Sequence, residues 1–165
     1  MVIQIDTREK PDAIKGIIED FEENGVTYIS SKLYIGDYMN IDHPKLVIDR
    51  KQNISEICAN VASSAAEHDR FRAELQRAEK IGAKIIVLIE HGHGYQTLED
   101  IQYWENPRRF KSPRCTNGAK LYRILKTMCE RYPMEVMFCD KSETGAKIRE
   151  LLDDKGRNTG NDHND

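Results

Sequence analysis

With 165 residues the chain is long enough for one domain with a single buried core. Apolar residues make up 39% of it and charged residues 32%, an ordinary globular balance that excludes a fibrous or wholly disordered chain. The formal net charge of −3 does not by itself indicate a nucleic-acid partner, although local basic clusters remain compatible with one.

The sequence also bears on the cellular compartment. It contains no run of about eighteen apolar residues that could span a membrane. The N-terminal residues MVIQIDTREK lack the basic and apolar regions of a signal peptide. The four cysteines are scattered without a C-x-x-C pairing, which favours reduced thiols over a metal or redox site. We therefore expect an intracellular, cytoplasmic protein.

The first predicted element is a short apolar strand at residues 2–6, and a polar turn follows it. A helix is predicted to begin near Pro11 and to end before Gly25. Its apolar residues repeat on one face, at Ile14, Ile17, Ile18 and Phe21. Three strands then form a predicted meander, at residues 28–33, 34–40 and 46–51.

The second half of the chain alternates helices with strands. Helices are predicted at residues 67–80, at 97–104, through 121–132 and up to 152; strands are predicted at 83–90 and 135–139. Alternation of this kind after an initial meander predicts an α/β fold with a mixed sheet covered by helices. The polar tail, residues 154–165, is predicted to be disordered.

The most informative stretch is GDYMNIDHPKLVIDRK, residues 36–51. Side chains alternate along a strand, so Asp49 and Lys51 point to the same face, while Arg50 points away with Leu46 and Ile48. If the two strands pair as a hairpin, the carboxylate of the preceding turn, at position 37, can meet that of Asp49.

Two carboxylates that converge with a lysine form a hard oxygen site suited to Mg²⁺ or Mn²⁺. The metal would be held by Asp37 and Asp49, and the Arg50 carbonyl could add a ligand. Lys51 could orient the attacking water or stabilise charge on a phosphodiester. This arrangement of two carboxylates, a metal ion and a lysine resembles that of the PD-(D/E)xK nucleases. The alternative is a surface Asp–Lys pair on an edge strand, because D…DxK also occurs by chance.

Several ordered motifs resemble the nuclease domain of the XPF-type structure-specific endonucleases. The family's core motif is G-D…(V/I)-E-R-K-x-x-x-D, preceded by D-x-R-E at the end of the first strand and followed by a helix Arg and an apolar V-L-L-I-E strand. The matching residues here are Asp6, Arg8, Glu9, Gly36, Asp37, Val47, Ile48, Asp49, Arg50, Lys51, Arg70, Val87, Leu88, Ile89 and Glu90. The resemblance covers residues 2–90.

The resemblance implies a restriction-endonuclease-like mixed sheet flanked by helices, with residues 1–153 as the nuclease domain. It makes Asp37 and Asp49 the metal ligands and Lys51 the catalytic lysine, with Arg50 in the same motif. It also implies that Asp6 and Arg8 lie at the edge of the site.

The chain departs from the family pattern at several positions. Asp49 replaces the usual Glu, and the acid expected after the lysine falls at Ser55, with Glu56 adjacent. Glu74 stands where the family often has Gln, and the segment between Ser55 and Arg70 is longer. The tandem helix-hairpin-helix module that usually follows is not in this sequence, so DNA has to be held in another way.

A basic loop is the candidate for holding DNA, through Arg108, Arg109, Lys111 and Arg114. Lys120, Arg123 and Lys126 continue the basic character on the next helix. Such residues make phosphate contacts that do not depend on DNA sequence. The alternative is a solvated loop. His91 and His93 fit a glycine-rich turn, and Trp104 fits the core better than a base-stacking role.

The resulting prediction is a metal-dependent DNA endonuclease, acting at branched or junction DNA. A restriction-like nuclease or resolvase is one alternative, and a catalytically silent DNA- or partner-binding domain is another. We also predict a homodimer through the C-terminal half, or a partner nuclease or DNA-binding subunit. The apolar residues behind this are Leu121, Tyr122, Ile124, Leu125, Met128, Tyr132, Met134 and Met137.

Overall fold

A computed structural model describes residues 1–92 and 94–153 of the chain. His93 and the tail at 154–165 lie outside the described residues, and the predicted disorder of the tail therefore stays a prediction.

The described residues form one mixed α/β layer structure. The strands are β1 (Val2–Ile5), β2 (Thr27–Ser30), β3 (Tyr38–Asn40), β4 (Leu46–Lys51), β5 (Lys84–Glu90) and β6 (Met134–Cys139). The helices are α1 (Pro11–Glu23), α2 (Ile54–Ala62), α3 (Ala65–Lys80), α4 (Gly118–Arg131) and α5 (Thr144–Leu152). Short 3₁₀ helices lie at Leu98–Tyr103, Pro107–Phe110 and Lys141–Glu143.

The six strands form one sheet in the order β2-β1-β3-β4-β5-β6. β3 pairs antiparallel with both β1 and β4, whereas β1–β2, β4–β5 and β5–β6 are parallel. The predicted hairpin between the strand after Asp37 and the strand of Asp49 is therefore present as β3–β4.

The predicted three-stranded meander is wrong. β2 lies at the edge of the sheet beside β1, because α1 returns the chain to form a parallel neighbour of the strand before it. The segment between β2 and β3 is mostly irregular, since Gly36 has a φ of 64° that no extended strand contains. The strand predicted at residues 34–40 is accordingly only three residues long.

The sheet separates two hydrophobic cores. One lies against α2, α3 and α4 and contains Val47, Val87 and Leu125; the other lies against α1 and α5 and contains Ile48, Leu88 and Ile148. The alternation along β4 thus matches the prediction that Leu46 and Ile48 share a face opposite to Asp49. The face of β4 that carries Asp49 and Lys51 is covered by α2 and α3.

Capping residues set where the helices begin. The side chains of Asn53, Ser64 and Asn117 accept hydrogen bonds from backbone amides at the starts of α2, α3 and α4.

Within the described residues, no helix is both long and apolar enough to cross a membrane.

Candidate active site

The turn before β3 holds Asp37 in place. The Gly36 amide donates to Oε1 of Glu74 at 2.8 Å, which ties the turn to α3, and the Asp37 amide donates to the Ile48 carbonyl at 2.8 Å. A Cβ at position 36 would collide with Cγ1 of Val47 and lie 3.0 Å from the Ile48 oxygen. The turn therefore requires glycine both for its positive φ and for its close approach to β4.

The structure brings Asp37, Asp49 and Lys51 together. Oδ2 of Asp37 accepts the Arg50 amide at 2.8 Å, and Nζ of Lys51 donates to Oδ1 of Asp49 at 2.9 Å. Asp49 is 4% exposed and Lys51 9%, so this ion pair is shielded from solvent. Oδ2 of Asp49 is buried and has no hydrogen-bond partner among the described residues.

The electrostatics of this group favour a further positive charge. Burial and the nearby charge of Asp49 raise the pKa of Asp37 well above its usual range. Burial by itself would lower the pKa of Lys51, but the charges of Asp49 and Asp37 outweigh it and raise that pKa. Lys51 therefore stays charged, and a single ammonium faces two carboxylates.

These residues line a cavity of about 450 Å³ between β4, α2 and α3. Its charged lining consists of Arg8, Glu9, Asp37, Asp49, Arg50, Lys51, Glu56, Glu67, Arg70, Glu74 and Arg77. Phe71 supplies an apolar wall, and its ring centroid lies 5.8 Å from Nζ of Lys51.

The guanidinium of Arg50 is buried between two carboxylates away from Lys51. Its Nε donates to Oε2 of Glu9 at 2.8 Å, and its Nη1 donates to Oε1 of Glu90 at 3.1 Å. Tyr38 also donates to Glu9, and Thr144 donates to Glu90. Arg50 therefore contacts Asp37 through its backbone amide, and its side chain joins β4 to the turn after β1 and to β5, whose Glu90 also accepts from α5.

Asp6 supports the site from behind. Its Oδ1 accepts the amide and Nε of Arg8, and its Oδ2 accepts the Leu33 amide at 2.6 Å. Burial would raise the pKa of Asp6, but these hydrogen bonds lower it. The Asp6 amide also donates to the Asp37 carbonyl at 2.8 Å. Arg8 lines the cavity, whereas Asp6 lies behind it and contacts it through Arg8 and the Asp37 backbone.

Two residues of α2 that reach this cavity were not identified as site residues. Glu56 lines it, whereas Ser55 lines a different cavity on the other flank of α2. Glu56 Oε2 accepts the Gln52 amide at 2.8 Å. Asn60, one turn later, also lines the site, and its Oδ1 is buried without a partner among the described residues. The i, i+4 spacing of the two could have indicated a shared face.

Asp37 and Asp49 are the two side chains best placed to hold a cation. The described residues contain no group of three or more His, Cys, Asp or Glu side chains arranged to hold a metal ion. Any further ligands would have to be backbone carbonyls or water.

The predicted DNA-binding residues divide into two sets. Arg108 and Arg114 line the cavity on the far flank of α2. Arg109 pairs with Glu105 at 2.6 Å and lies 4.8 Å from the ring of Phe110, while Lys111 is exposed. The four residues therefore do not form one cluster. Trp104 is 5% exposed and belongs to the core, as expected.

Comparison with curated proteins finds no match. Comparison with solved structures finds XPF from Aeropyrum pernix, which is 21% identical with a TM-score of 0.59 and aligns over 92% of this chain and 60% of that one. XPF from Aeropyrum pernix in a complex with DNA is 20% identical with a TM-score of 0.60, over 92% of this chain and 62% of that one. This likeness confirms the predicted restriction-endonuclease-like fold. The chain spans about 60% of the length of these structures.

The family model described as the ERCC4 domain matches residues 5–151. The match contains every residue of the cavity beside Asp49 and extends through most of α5. It confirms the XPF-type resemblance and carries it well beyond residue 90. The chain belongs to the ERCC4 domain family.

Proposed function

We propose that this protein is a metal-dependent endonuclease that hydrolyses phosphodiester bonds in branched or junction DNA. The observation that carries the proposal is the buried Oδ2 of Asp49, which has no hydrogen-bond partner among the described residues and lies in the same cavity as Asp37 and Lys51. A buried carboxylate oxygen without a donor is costly, and a bound cation would offset that cost.

The donor set fits Mg²⁺ or Mn²⁺. Asp37 and Asp49 would hold the ion, and the Arg50 carbonyl is a candidate third oxygen. Mg²⁺ keeps several of its waters and is commonly bound by only one or two carboxylates, so a larger acidic cluster is not needed. When bound, such an ion lowers the pKa of a water and neutralises charge on the phosphodiester.

Lys51 supplies the fixed positive charge of the reaction. Its ammonium is held by Oδ1 of Asp49 and stays protonated because two carboxylates surround it. A preorganised and largely buried cation stabilises charge that develops on a phosphate oxygen. It can also orient the attacking water.

DNA is the proposed substrate for two reasons. The chain belongs to a nuclease family, and a solved structure that shares its fold is described as a complex with DNA. We propose that Arg108, Arg109, Lys111 and Arg114 contact phosphates.

The direct test is a cleavage assay. Labelled flap, fork, junction and duplex DNA are incubated with the protein in Mg²⁺, Mn²⁺ or EDTA, with Asp49→Asn purified in parallel to exclude a contaminating nuclease. We expect cleavage of branched substrates with either metal and none in EDTA or with the variant. Equal cleavage by Asp49→Asn would contradict the proposal. Efficient cutting of plain duplex would favour a restriction-like nuclease or resolvase.

A catalytically silent DNA- or partner-binding domain is the second candidate. The observation that favours it is the lack of a cluster of three ligand side chains among the described residues. Titration with Mn²⁺ and DNA separates the two candidates: a silent domain would bind DNA without cleaving any of the four substrates.

A further inference from the structure

A second cavity lies on the flank of α2 opposite the candidate active site. It has a volume of about 340 Å³ and is lined by Arg108, Arg114 and Lys120, and the described residues of its lining include no Asp or Glu. The active-site cavity, by contrast, contains six carboxylates beside five cations. Helix α2 thus separates a cavity of mixed charge, reached by Glu56, from a basic one, reached by Ser55.

The basic character continues along α3 and α4. A third cavity, of about 570 Å³, shares Lys120 with the second, and again no Asp or Glu is among the described residues that line it. Its cations are Arg72, Lys120, Arg123 and Arg131, and its apolar residues are Ile124, Met128 and Tyr132. We call the second and third cavities together the basic groove. Arg72 pairs with Asp69 at 3.2 Å and contributes less net charge than the others.

The wall of the groove is held by buried polar contacts. Asn106 is 7% exposed; its Oδ1 accepts the Arg108 amide at 2.9 Å, and its Nδ2 donates to the Thr116 carbonyl at 2.8 Å. Trp104 packs beneath it in the core. These contacts fix the loop that carries Arg108 and Arg114, so the cations are presented from a formed wall.

The composition of the groove indicates its ligand. The chain has a net charge of −3, yet the described residues that line these two cavities include six different cations and no carboxylate. Cations of this kind attract a sugar–phosphate backbone. Ile124 is partly exposed between these cations, and an apolar surface of this kind suits exposed bases, which a single strand offers and a duplex conceals. Phe110, 81% exposed on the neighbouring loop and stacked with Arg109, is a further surface for a base.

We propose that the basic groove binds a single strand of DNA, separate from the phosphodiester that is cut. The inference rests on the proposed function in that it takes DNA as the substrate. The strand runs from Arg108 and Arg114 past Lys120 to Arg123, on the side of α2 away from Asp49. The groove would thereby let the protein distinguish a branched substrate, with an unpaired arm, from plain duplex.

The test measures binding without cleavage. Fluorescence anisotropy of a labelled oligothymidylate is followed in EDTA across a salt series. Arg114→Ala/Lys120→Ala/Arg123→Ala is compared with Lys15→Ala/Lys45→Ala/Lys147→Ala, which removes equal charge from α1, the start of β4 and α5. We expect the groove variant to raise Kd on the order of 10–100-fold and to flatten the salt slope by about two units. The control should keep the wild-type slope.

Three outcomes would overturn the inference. The first is an equal loss of affinity for the oligothymidylate in the groove variant and the control variant, with unchanged melting temperatures. The second is a duplex of the same length that binds as tightly as the single strand and responds to the groove variant equally. The third is a change in mass by light scattering in the groove variant, which would make the groove an interface between copies. Because no cleavage is measured, a failed nuclease assay leaves this test intact, and an active nuclease can still fail it.

Discussion

Asp37 and Asp49 place two carboxylates in one cavity, with Lys51 as the ammonium between them. The raised pKa of Asp37 means that its ionised form is held at a cost in free energy, through burial and through repulsion by Asp49. Such a cost is common where a site is built for a ligand that carries the opposite charge.

This arrangement gives the first prediction. Asp37→Asn or Asp49→Asn should lower cleavage by several orders of magnitude, because each removes a ligand charge. Asp37→Asn should not lower the melting temperature of the metal-free protein, because burial and the nearby charge of Asp49 disfavour the charge that is lost. Asp49→Asn should lower it, because the buried ammonium of Lys51 loses its ion-pair partner. Single-turnover cleavage and thermal unfolding in EDTA measure the two effects. Wild-type activity in either variant would contradict the assignment.

Lys51→Ala separates charge stabilisation from metal binding. Removal of one preorganised cation typically lowers turnover on the order of 10²–10³-fold. Mn²⁺ should still bind, because Asp37 and Asp49 remain. Calorimetric titration of Mn²⁺ into the variant is the measurement. A variant that no longer binds Mn²⁺ would mean that Lys51 supports the fold of the site instead.

Asn60 carries the third prediction, since its Oδ1 is buried beside the cavity and has no hydrogen-bond donor among the described residues. We expect Oδ1 to accept a hydrogen bond from a water bound in the site. Asn60→Ala should therefore reduce kcat about tenfold, a loss of about 1.4 kcal/mol, and leave KM unchanged. Ser55→Ala, on the other flank of α2, is the matched control. A loss in the control as large as in Asn60→Ala would point to a general disturbance of α2.

Helix α2 is the element that sequence reasoning missed. Its buried residues Ile54, Ile57, Cys58 and Val61 follow helical spacing. Oδ1 of Asn53 also accepts the Glu56 amide at 2.9 Å, and the Glu56 carboxylate accepts the Gln52 amide at 2.8 Å. The sequence signal for a helix was therefore present, but it spans only nine residues. The position of β2 in the sheet was harder to predict from the sequence. The order of strands in a sheet depends on tertiary packing and not on the local sequence pattern.

The amide that begins α2 depends on a histidine, which gives a prediction for pH. Nδ1 of His91 accepts the Ile54 amide at 3.3 Å, and burial lowers the pKa of His91 below its usual 6.5. The neutral form is thus favoured in the folded state. Its contribution to stability is present above pH 6.5 and is lost as pH falls through the lowered pKa.

His91→Gln tests this contribution, since glutamine keeps an acceptor that does not titrate. The melting temperature should fall less between pH 7.5 and pH 5.5 in the variant than in the wild type. His68→Gln, at a histidine that contacts the Val61 carbonyl, serves as the comparison. Identical pH dependence in His91→Gln and wild type would rule out the role of His91.

At the scale of the whole molecule, the apolar stripe of α4 covers the core, and the residues predicted to flank it as a dimer patch, Tyr122, Met134 and Met137, also pack mostly within one chain. Leu121, Leu125, Met128, Tyr132 and Met134 are buried in the core against α2 and α3, and Tyr122, Ile124 and Met137 pack partly against the two cores. The sequence could show that these residues are apolar, but not which of them the chain itself would cover.

The homodimer nevertheless stays a prediction, now for a different surface of the C-terminal half. β6 is the last strand of the sheet, six residues long, and most of it is only partly buried. An edge strand of this kind can pair with a second copy around a twofold axis. Light scattering at micromolar concentration should give about twice 19.1 kDa, for the wild type and for the groove variant alike. A mass near that of the monomer would exclude the dimer.

The buried contacts of Arg50 also constrain how the sequence can change over time. One guanidinium serves Glu9 from the β1 turn and Glu90 from β5, and Thr144 holds the latter from α5. Loss of one partner from such a buried network typically costs about 3–5 kcal/mol, because a charge is left uncompensated. Substitutions at these positions are therefore tolerated mainly in concert. Related proteins that have lost cleavage and no longer need Lys51 should still retain Arg50. This part of the motif can therefore persist in a protein without nuclease activity.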